Sequence, residues 1–362
     1  MGNINGTFIN NYVISKGSGG DNKAEGGAIY LDKGKIGSFD SDGNTVGGII
    51  NSTFAGNNAI SEFGEAKGGA IYTSSDLNII ADNGETIFED NYTISAGEKK
   101  ENAIFVGEEN ATLRLEAKNE GEIRFEDEIE GDLGFNLALK GDDKSKIIIN
   151  NDIINADISV DNTNVYVSEG QYIAQNPTLS VNSGILNINH LANQTLHYDS
   201  FKNTGLINFN SIDVDLKNET MGRITADTYG DMTNGVIDVK GLNLISTTER
   251  DNTNILFADS SFSDTVKYTG DSTLYTPIYK YDVSYQINDN DDMGYFVFNR
   301  GNINDSNSYN PSVLAPSVSS QAGAYTTQLQ TLEYAFKHSD AFMALPSFER
   351  MAIINADRYA LT

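Results

Sequence analysis

The sequence predicts an all-β protein: a right-handed parallel β-helix with a C-terminal β-hairpin cap and a short C-terminal helical segment. Three observations predict it. Two short motifs, Phe-x-x-Asn and Gly-Gly-Ala-Ile, alternate along residues 1–105. The segments around them are brief, rich in Ile, Val, Thr, Phe and Tyr, and separated by Gly, Asn, Asp and Ser clusters, the pattern of strands and turns. Farther along, a Gly followed by apolar residues and Asn or Asp recurs at short intervals. Self-similarity at a period of about 20–50 residues marks a stack of like units.

In the first round, Phe8-Ile9-Asn10-Asn11 precedes Gly26-Gly27-Ala28-Ile29. In the second, Phe54-Ala55-Gly56-Asn57 precedes Gly68-Gly69-Ala70-Ile71. In the third, Phe88-Glu89-Asp90-Asn91 precedes Glu101-Asn102-Ala103-Ile104-Phe105, where the glycines are gone but Ala-Ile-aromatic remains. The Phe positions lie 46 and 34 residues apart. Between Gly68 and Asn91 three strand candidates (Ala70–Tyr72, Leu77–Ala81 and Thr86–Phe88) make one turn of a solenoid. Coils at the usual strand spacing of about 4.8 Å put like side chains on like. Phe8, Phe54 and Phe88 are therefore expected to form an internal aromatic ladder. Asn11, Asn57 and Asn91 are expected at a turn, where a side-chain amide bonds backbone groups and left-handed φ is tolerated. The paired glycines are expected at a corner that a Cβ would obstruct.

From about Ala111 the loops shorten. The motifs "SGILNIN", "TGLINFN" and "NGVIDVKGLNLI" bring Gly184, Gly205 and Gly235, with a weaker relative at Gly222. Their spacings of 13–21 residues fit minimal coils, so residues 1–250 read as one solenoid. Residues 251–305 differ. Tyr279, Tyr281, Val283, Tyr285 and Ile287 alternate with polar residues, a strand with one buried face. The turn Asn288–Gly294 and the strand Tyr295–Phe298 complete a hairpin suited to capping a solenoid end. Residues 306–362 read as a linker, Ser306–Ser320, followed by a helix at about Val318–Met343 and a second over Ser347–Tyr359.

Composition narrows the function. The formal net charge is −27, with 24 Lys+Arg against 51 Asp+Glu. Nucleic acid requires a basic footprint and is excluded as a partner; the charge also argues against anionic membrane surfaces. A chain with no Cys has no disulfide framework, thiol chemistry or Cys-held metal. The N-terminus has neither the basic nor the apolar region of a signal peptide, and Met1 reads as a start placed inside a longer chain.

The alternating Gly-Gly-Ala-Ile and Phe-x-x-Asn motifs resemble those of the chlamydial-type polymorphic outer membrane proteins. More broadly, the chain resembles a bacterial autotransporter (type V secretion) passenger. The resemblance rests on both tetrapeptides over residues 1–105, is looser over 110–250, and returns over 275–362. It implies a β-helix displayed on the outer face of a Gram-negative cell, attached to or released from its own β-barrel translocator. It implies adhesion to a host or neighbouring-cell receptor or glycan. Residues 251–305 would be an autochaperone-like cap, and 306–362 would lead to the barrel.

Catalytic readings find less support. A serine protease would need Gly-Asp-Ser-Gly, and the nearest stretch is Gly270-Asp271-Ser272-Thr273. His190 and His197 fall on expected coils. Other β-helices cleave acidic polysaccharides with clustered carboxylates. Asp142-Asp143 and Asp213/Asp215 are acidic pairs of the kind glycoside hydrolysis uses, though no basic cluster accompanies them. Asp40-Ser41-Asp42-Gly43-Asn44 and Asp289–Asp292 are oxygen-rich turns that match no calcium loop. The expectation is a monomeric, non-catalytic surface protein without catalytic residues, metal or cofactor; a carbohydrate-active β-helix enzyme is the alternative.

Overall fold

The computed structural model describes residues 3–17, 22–39, 45–248, 250–276, 278–301, 308 and 310. The expected C-terminal helices, most of the linker and the turn Asp40–Asn44 lie outside the described residues. The chain forms two compact units. One comprises Met1–Ser246, Asn254–Gly270 and Tyr285–Phe296; the other comprises Thr247–Thr253, Asp271–Ser284 and the described residues from Val297 onward.

The first unit is a parallel β-helix. Its defining sheet has ten strands whose spatial order is their chain order. They are Thr7–Ile9, Thr53–Ala55, Glu85–Glu89, Glu122–Phe125, Lys146–Ile149, Asn164–Glu169, Ile185–His190, Leu206–Phe209, Val236–Val239 and Val266–Tyr268. Every neighbouring pair is parallel and in register. One column runs through all ten: Phe8, Phe54, Phe88, Phe125, Ile149, Val167, Ile188, Phe209, Val239 and Tyr268. The parallel stack thus extends to Tyr268.

The four phenylalanines at the start of this column stack face to face, with centroids 4.6, 4.7 and 4.5 Å apart and ring planes within 5°. The strand spacing imposes this repeat, and flat rings fill it without a gap. Phe54, Phe88 and Phe125 are fully buried; Phe8, in the first coil, is half-buried.

A second sheet holds the strand of the Ala-Ile-aromatic motif. Ile29–Leu31, Ile71–Thr73, Ile104–Val106 and Ile129–Gly141 follow one another in it. The motif's aromatic residues, Tyr30, Tyr72 and Phe105, form an outer stack at 5.3 and 6.1 Å. The first three coils each carry one more strand here, Ile49–Ile50, Leu77–Asp82 and Thr112–Lys118. Both Ile104–Val106 and Thr112–Lys118 pair with Ile129–Gly141, so two strands of the third coil merge into one long strand in the fourth.

A third sheet lies in the early coils. Tyr12–Ser15, Asn58–Ser61 and Tyr92–Ser95 pair in parallel. The chain then reverses through Ala96-Gly97, and Glu98–Glu101 closes the sheet as an antiparallel strand. Beyond this point the coils shorten. The next three Phe125-column steps are 24, 18 and 21 residues long, which explains the change of motif read near Ala111.

At its C-terminal end this unit is closed by aromatic residues. Phe296 packs edge-on against Phe257 at 5.4 Å and Tyr268 at 5.3 Å, with Tyr285 at 5.4 Å. Tyr285 donates to the Ser263 carbonyl at 2.8 Å. The second unit contains the pairing of Thr273–Tyr275 with Lys280–Asp282. There Tyr281 is fully buried and donates to the Thr248 carbonyl at 2.9 Å.

Candidate functional site

The two tetrapeptides converge on one corner. Its spine is the asparagine ladder, which repeats one geometry at every step. Asn57 Oδ1 accepts both the backbone N–H and Nδ2 of Asn11, at 3.0 and 2.8 Å. Asn91 Oδ1 accepts the same two groups of Asn57, at 3.1 and 2.9 Å. Each inner Asn also sends Nδ2 back to a Phe carbonyl of the preceding coil: Asn57 to Phe8 and Asn91 to Phe54, both at 2.9 Å. Asn57 and Asn91 are fully buried, so these bonds satisfy amides that would otherwise be costly to bury. The left-handed residue of each turn is the one before the ladder position, Asn10, Gly56 or Asp90; the ladder Asn itself keeps negative φ.

The glycine corner lies alongside. Gly26 and Gly68 have φ +67° and +65°, and a Cβ on either would fall 2.1–2.2 Å from a carbonyl oxygen of its own corner, Ile29 or Ile71. Gly27 and Gly69 have the carbonyl of the next coil, at Gly69 and Asn102, where a Cβ would sit. Ala28 and Ala70 pass the corner to Ile29 and Ile71, and both Ala28 N and Ile29 N donate to the Ala70 carbonyl. In the third coil Asn102 takes the glycine position and uses its side chain: Oδ1 accepts from Gly68 N at 3.0 Å.

The ladder ends on acids. In the fourth coil Phe125 is followed two residues later by Asp127, and Asp127 Oδ2 accepts Asn91 N at 3.0 Å and Nδ2 at 2.7 Å. Asp127 is nearly buried, at 3% exposure. Burial pushes its carboxyl up to about 6, against the lowering effect of the Asn91 hydrogen bonds. The next residue, Glu128, stands at the glycine corner, and its carbonyl accepts from Ala103 N at 2.8 Å. Burial pushes the Glu128 carboxyl up to about 7, although Lys100 opposes the shift. Lys100 reaches this corner from the reversed strand and ion-pairs with Glu128 at 2.6 Å and Glu130 at 2.9 Å. Burial works against its charge, but those two carboxylates hold its pKa above the ordinary lysine value. Asn102 Nδ2 also contacts Glu130, at 3.4 Å.

Sequence reading missed Phe125, Asp127, Glu128 and Lys100 as members of this corner. The signal was the string Phe125-Glu126-Asp127-Glu128-Ile129, a Phe-x-x-Asn and an Ala-Ile motif run together after the intervening loop is lost.

The residues considered for catalysis are held by structural bonds, and of them His190 and Asp213 meet. His190 lies between Glu169 of the preceding coil (Nδ1···Oε2 2.6 Å) and Asp213 of the following one (Nε2···Oδ1 3.1 Å). Burial disfavours the imidazolium, but both carboxylates favour it and raise the His190 pKa. A ring with both nitrogens engaged in this way is a staple between coils. His197 contacts Thr225 Oγ1 and Asp227. Asp142 accepts from the backbone of Asn119, Lys144 and Ser145, and Asp215 from that of Lys217 and Asn218. Asp291 accepts from Met293 N within its turn. No group of three or more His, Cys, Asp or Glu side chains arranged to hold a metal ion occurs among the described residues.

Comparison with family models, with curated proteins and with solved structures returns no match.

One surface stands out beside the corner. On the third sheet Val13, Ala59 and Thr93 face inward, while two rows face outward: Tyr12–Asn58–Tyr92 and Ile14–Ile60–Ile94. Tyr12 is 68% exposed, and the nearby loop residue Phe63 is 63% exposed. Lys99 lies 4.1 Å above the Tyr92 ring.

Proposed function

We propose that this protein is a surface-displayed, non-catalytic passenger of autotransporter type whose β-helix makes contact with a receptor or glycan on a host or neighbouring cell. The outward Ile14–Ile60–Ile94 and Tyr12–Tyr92 rows carry the reading. Apolar side chains repeated over three coils on the outside of a chain of net charge −27 mark an interaction surface. The fastening of Asn57, Asn91, Lys100 and His190 from coil to coil supports a scaffold role, since those groups are committed to the stack. Display on a Gram-negative outer surface, and linkage to a translocator barrel, rest on the motif resemblance alone.

The test is binding of the labelled chain to cultured cells and to a glycan array. Saturable binding that falls at least about tenfold in a Tyr12→Ala/Phe63→Ser double variant supports the reading. Binding that is absent, or unchanged by the double variant, refutes it.

A second reading, a carbohydrate-active β-helix enzyme, draws on Glu128. A buried carboxyl pushed up to about 7 beside a second carboxylate, Glu130, has the electrostatics of a general acid. Its 4% exposure and its ion pair with Lys100 favour the structural role. Release of reducing ends or unsaturated products from acidic polysaccharides, abolished by Glu128→Gln, would restore the enzymatic reading.

A further inference from the structure

After the strand Ile212–Asp215 the chain reverses and returns as the short antiparallel strand Thr220–Met221. Glu219, at the reversal, has φ +57°. Gly222 then lets the chain pass close to the preceding coil: a Cβ there would stand 2.5 Å from the Ala192 carbonyl oxygen. Arg223 opens the strand Arg223–Tyr229 opposite Thr195, the first residue of the strand Thr195–Asn203. Its backbone N–H donates to the Gln194 carbonyl at 3.1 Å. Where loop and strand meet, Arg223, Thr195, Gln194 and Leu256 line a hollow of about 410 Å³, within the range of about 300–1,000 Å³ typical of small-ligand sites.

The donors of this hollow are unmatched. Elsewhere cations meet acids: Lys100 holds Glu128 and Glu130, Arg124 stands between Glu122 and Glu126, and Arg300 reaches Asp251. Arg223 is half-buried, and no carboxylate lies within ion-pair distance of it among the described residues. Its charge acts on Tyr229, but the acid there, Asp259, accepts from the Tyr229 hydroxyl. Gln194 Nε2 is shielded from solvent and has no hydrogen-bond partner among the described residues, a costly state for an amide. Thr195 adds an exposed hydroxyl. The same hollow carries acceptors: Glu219, and Asn193, whose Nδ2 is committed to Thr220 Oγ1 at 2.9 Å. Half-buried Leu256 supplies an apolar surface.

We propose that this hollow binds a sugar unit carrying a single carboxylate. The planar guanidinium of Arg223 takes the carboxylate through paired hydrogen bonds. The Thr195 hydroxyl donates to it, and a turn of the Gln194 side chain gives the unmatched Nε2 an acceptor. Leu256 packs against the C–H face of the ring, while Glu219 and Asn193 Oδ1 accept from its hydroxyls. Glu219 also decides against other anions. A phosphate dianion beside it is repelled, and a carboxylate without hydroxyls leaves Glu219 and Asn193 nothing to accept from. The net charge of −27 repels a polyanion, so the ligand is an isolated acidic sugar in an otherwise neutral glycan. The hollow lies on later coils than the Tyr12 and Phe63 surface, and its binding stands whether or not that surface binds.

The probes are methyl glucuronide and methyl glucoside, which differ only in a carboxylate against a hydroxymethyl group. Each is titrated into the full chain and followed by saturation-transfer NMR. The glucuronide should bind saturably and the glucoside at least about tenfold more weakly, the value of a lost charge-assisted hydrogen bond. Arg223→Ala, with a parent-like urea midpoint, should weaken glucuronide binding at least about tenfold. Arg223→Lys, which keeps the charge but not the fork, should lose an intermediate amount. Tyr12→Ala/Phe63→Ser should bind the glucuronide as the parent does. No saturable glucuronide binding, equal binding of the glucoside, or equal binding of N-acetylaspartate, a peptide-like carboxylate, overturns the proposal, and these comparisons use the unaltered protein. Unchanged binding in Arg223→Ala overturns it as well. Loss of binding in Tyr12→Ala/Phe63→Ser would place the sugar on the other surface and overturn it too.

Discussion

Replacing Asp127 by Asn should stabilise the protein, and the size of the effect should depend on pH. Asn is the residue that holds this ladder step in the two preceding coils, and its Oδ1 can accept Asn91 N–H and Nδ2 as the carboxylate does. What it removes is a buried charge. The Asp127 carboxyl rises from 3.8 to about 6 on folding. At about 1.36 kcal/mol per unit, holding it ionised in the folded state costs about 3 kcal/mol. A raised pKa fixes the sign: the favourable contribution is complete below the unfolded value and is lost as pH rises through about 6. At pH 7.5 Asp127→Asn should therefore gain up to about 3 kcal/mol, less whatever strength the charged acceptor adds to the Asn91 bonds. By pH 5 the gain should have shrunk by about half, because the parent carboxyl is then mostly protonated when folded. Urea unfolding followed by circular dichroism at both pH values measures this. Destabilisation at pH 7.5, or an equal gain at both pH values, would refute the claim that a buried charge ends the ladder.

Three further outcomes are expected. Phe54→Ala opens a gap between Phe8 and Phe88 and should cost about 3–5 kcal/mol in the same urea assay; a loss below ~1 kcal/mol would mean that the stack collapses to fill it. The His190 staple contributes stability that is present below the ordinary histidine value and lost as pH rises through its raised folded pKa, so His190→Ala should lose more stability at pH 6 than at pH 9, and a pH-independent loss would show that the ring acts by packing alone. Tyr281→Asp places a charge where a fully buried ring stands and should slow or prevent refolding from denaturant, whereas Asp282→Asn on the exposed side of the same strand should not; refolding of Tyr281→Asp at the parent rate would remove that strand from any capping role.

The sequence by itself determined the solenoid. A coil that must lie on its neighbour repeats its side chains wherever the neighbour repeats, so Phe54 and Phe88, Asn57 and Asn91, and Ala70 and Ile71 appear as motifs. The spacing predicted a column, and the parallel register of Phe8, Phe54 and Phe88 has that form. The motif ceased to be legible where coil length changed. Phe125 occupies the same column, but its loop has gone, so Asp127 follows after two residues and Glu128 at once takes the next corner. Only the tertiary structure decided which charges meet. Lys100 reaches Glu128 because the chain reverses at Ala96-Gly97, and His190 finds Glu169 and Asp213 because 21 and 23 residues happen to make one coil there. The physical reason is that stacking repeats identity, which a sequence displays, whereas an ion pair across coils depends on the length of the intervening loop, which no local pattern encodes.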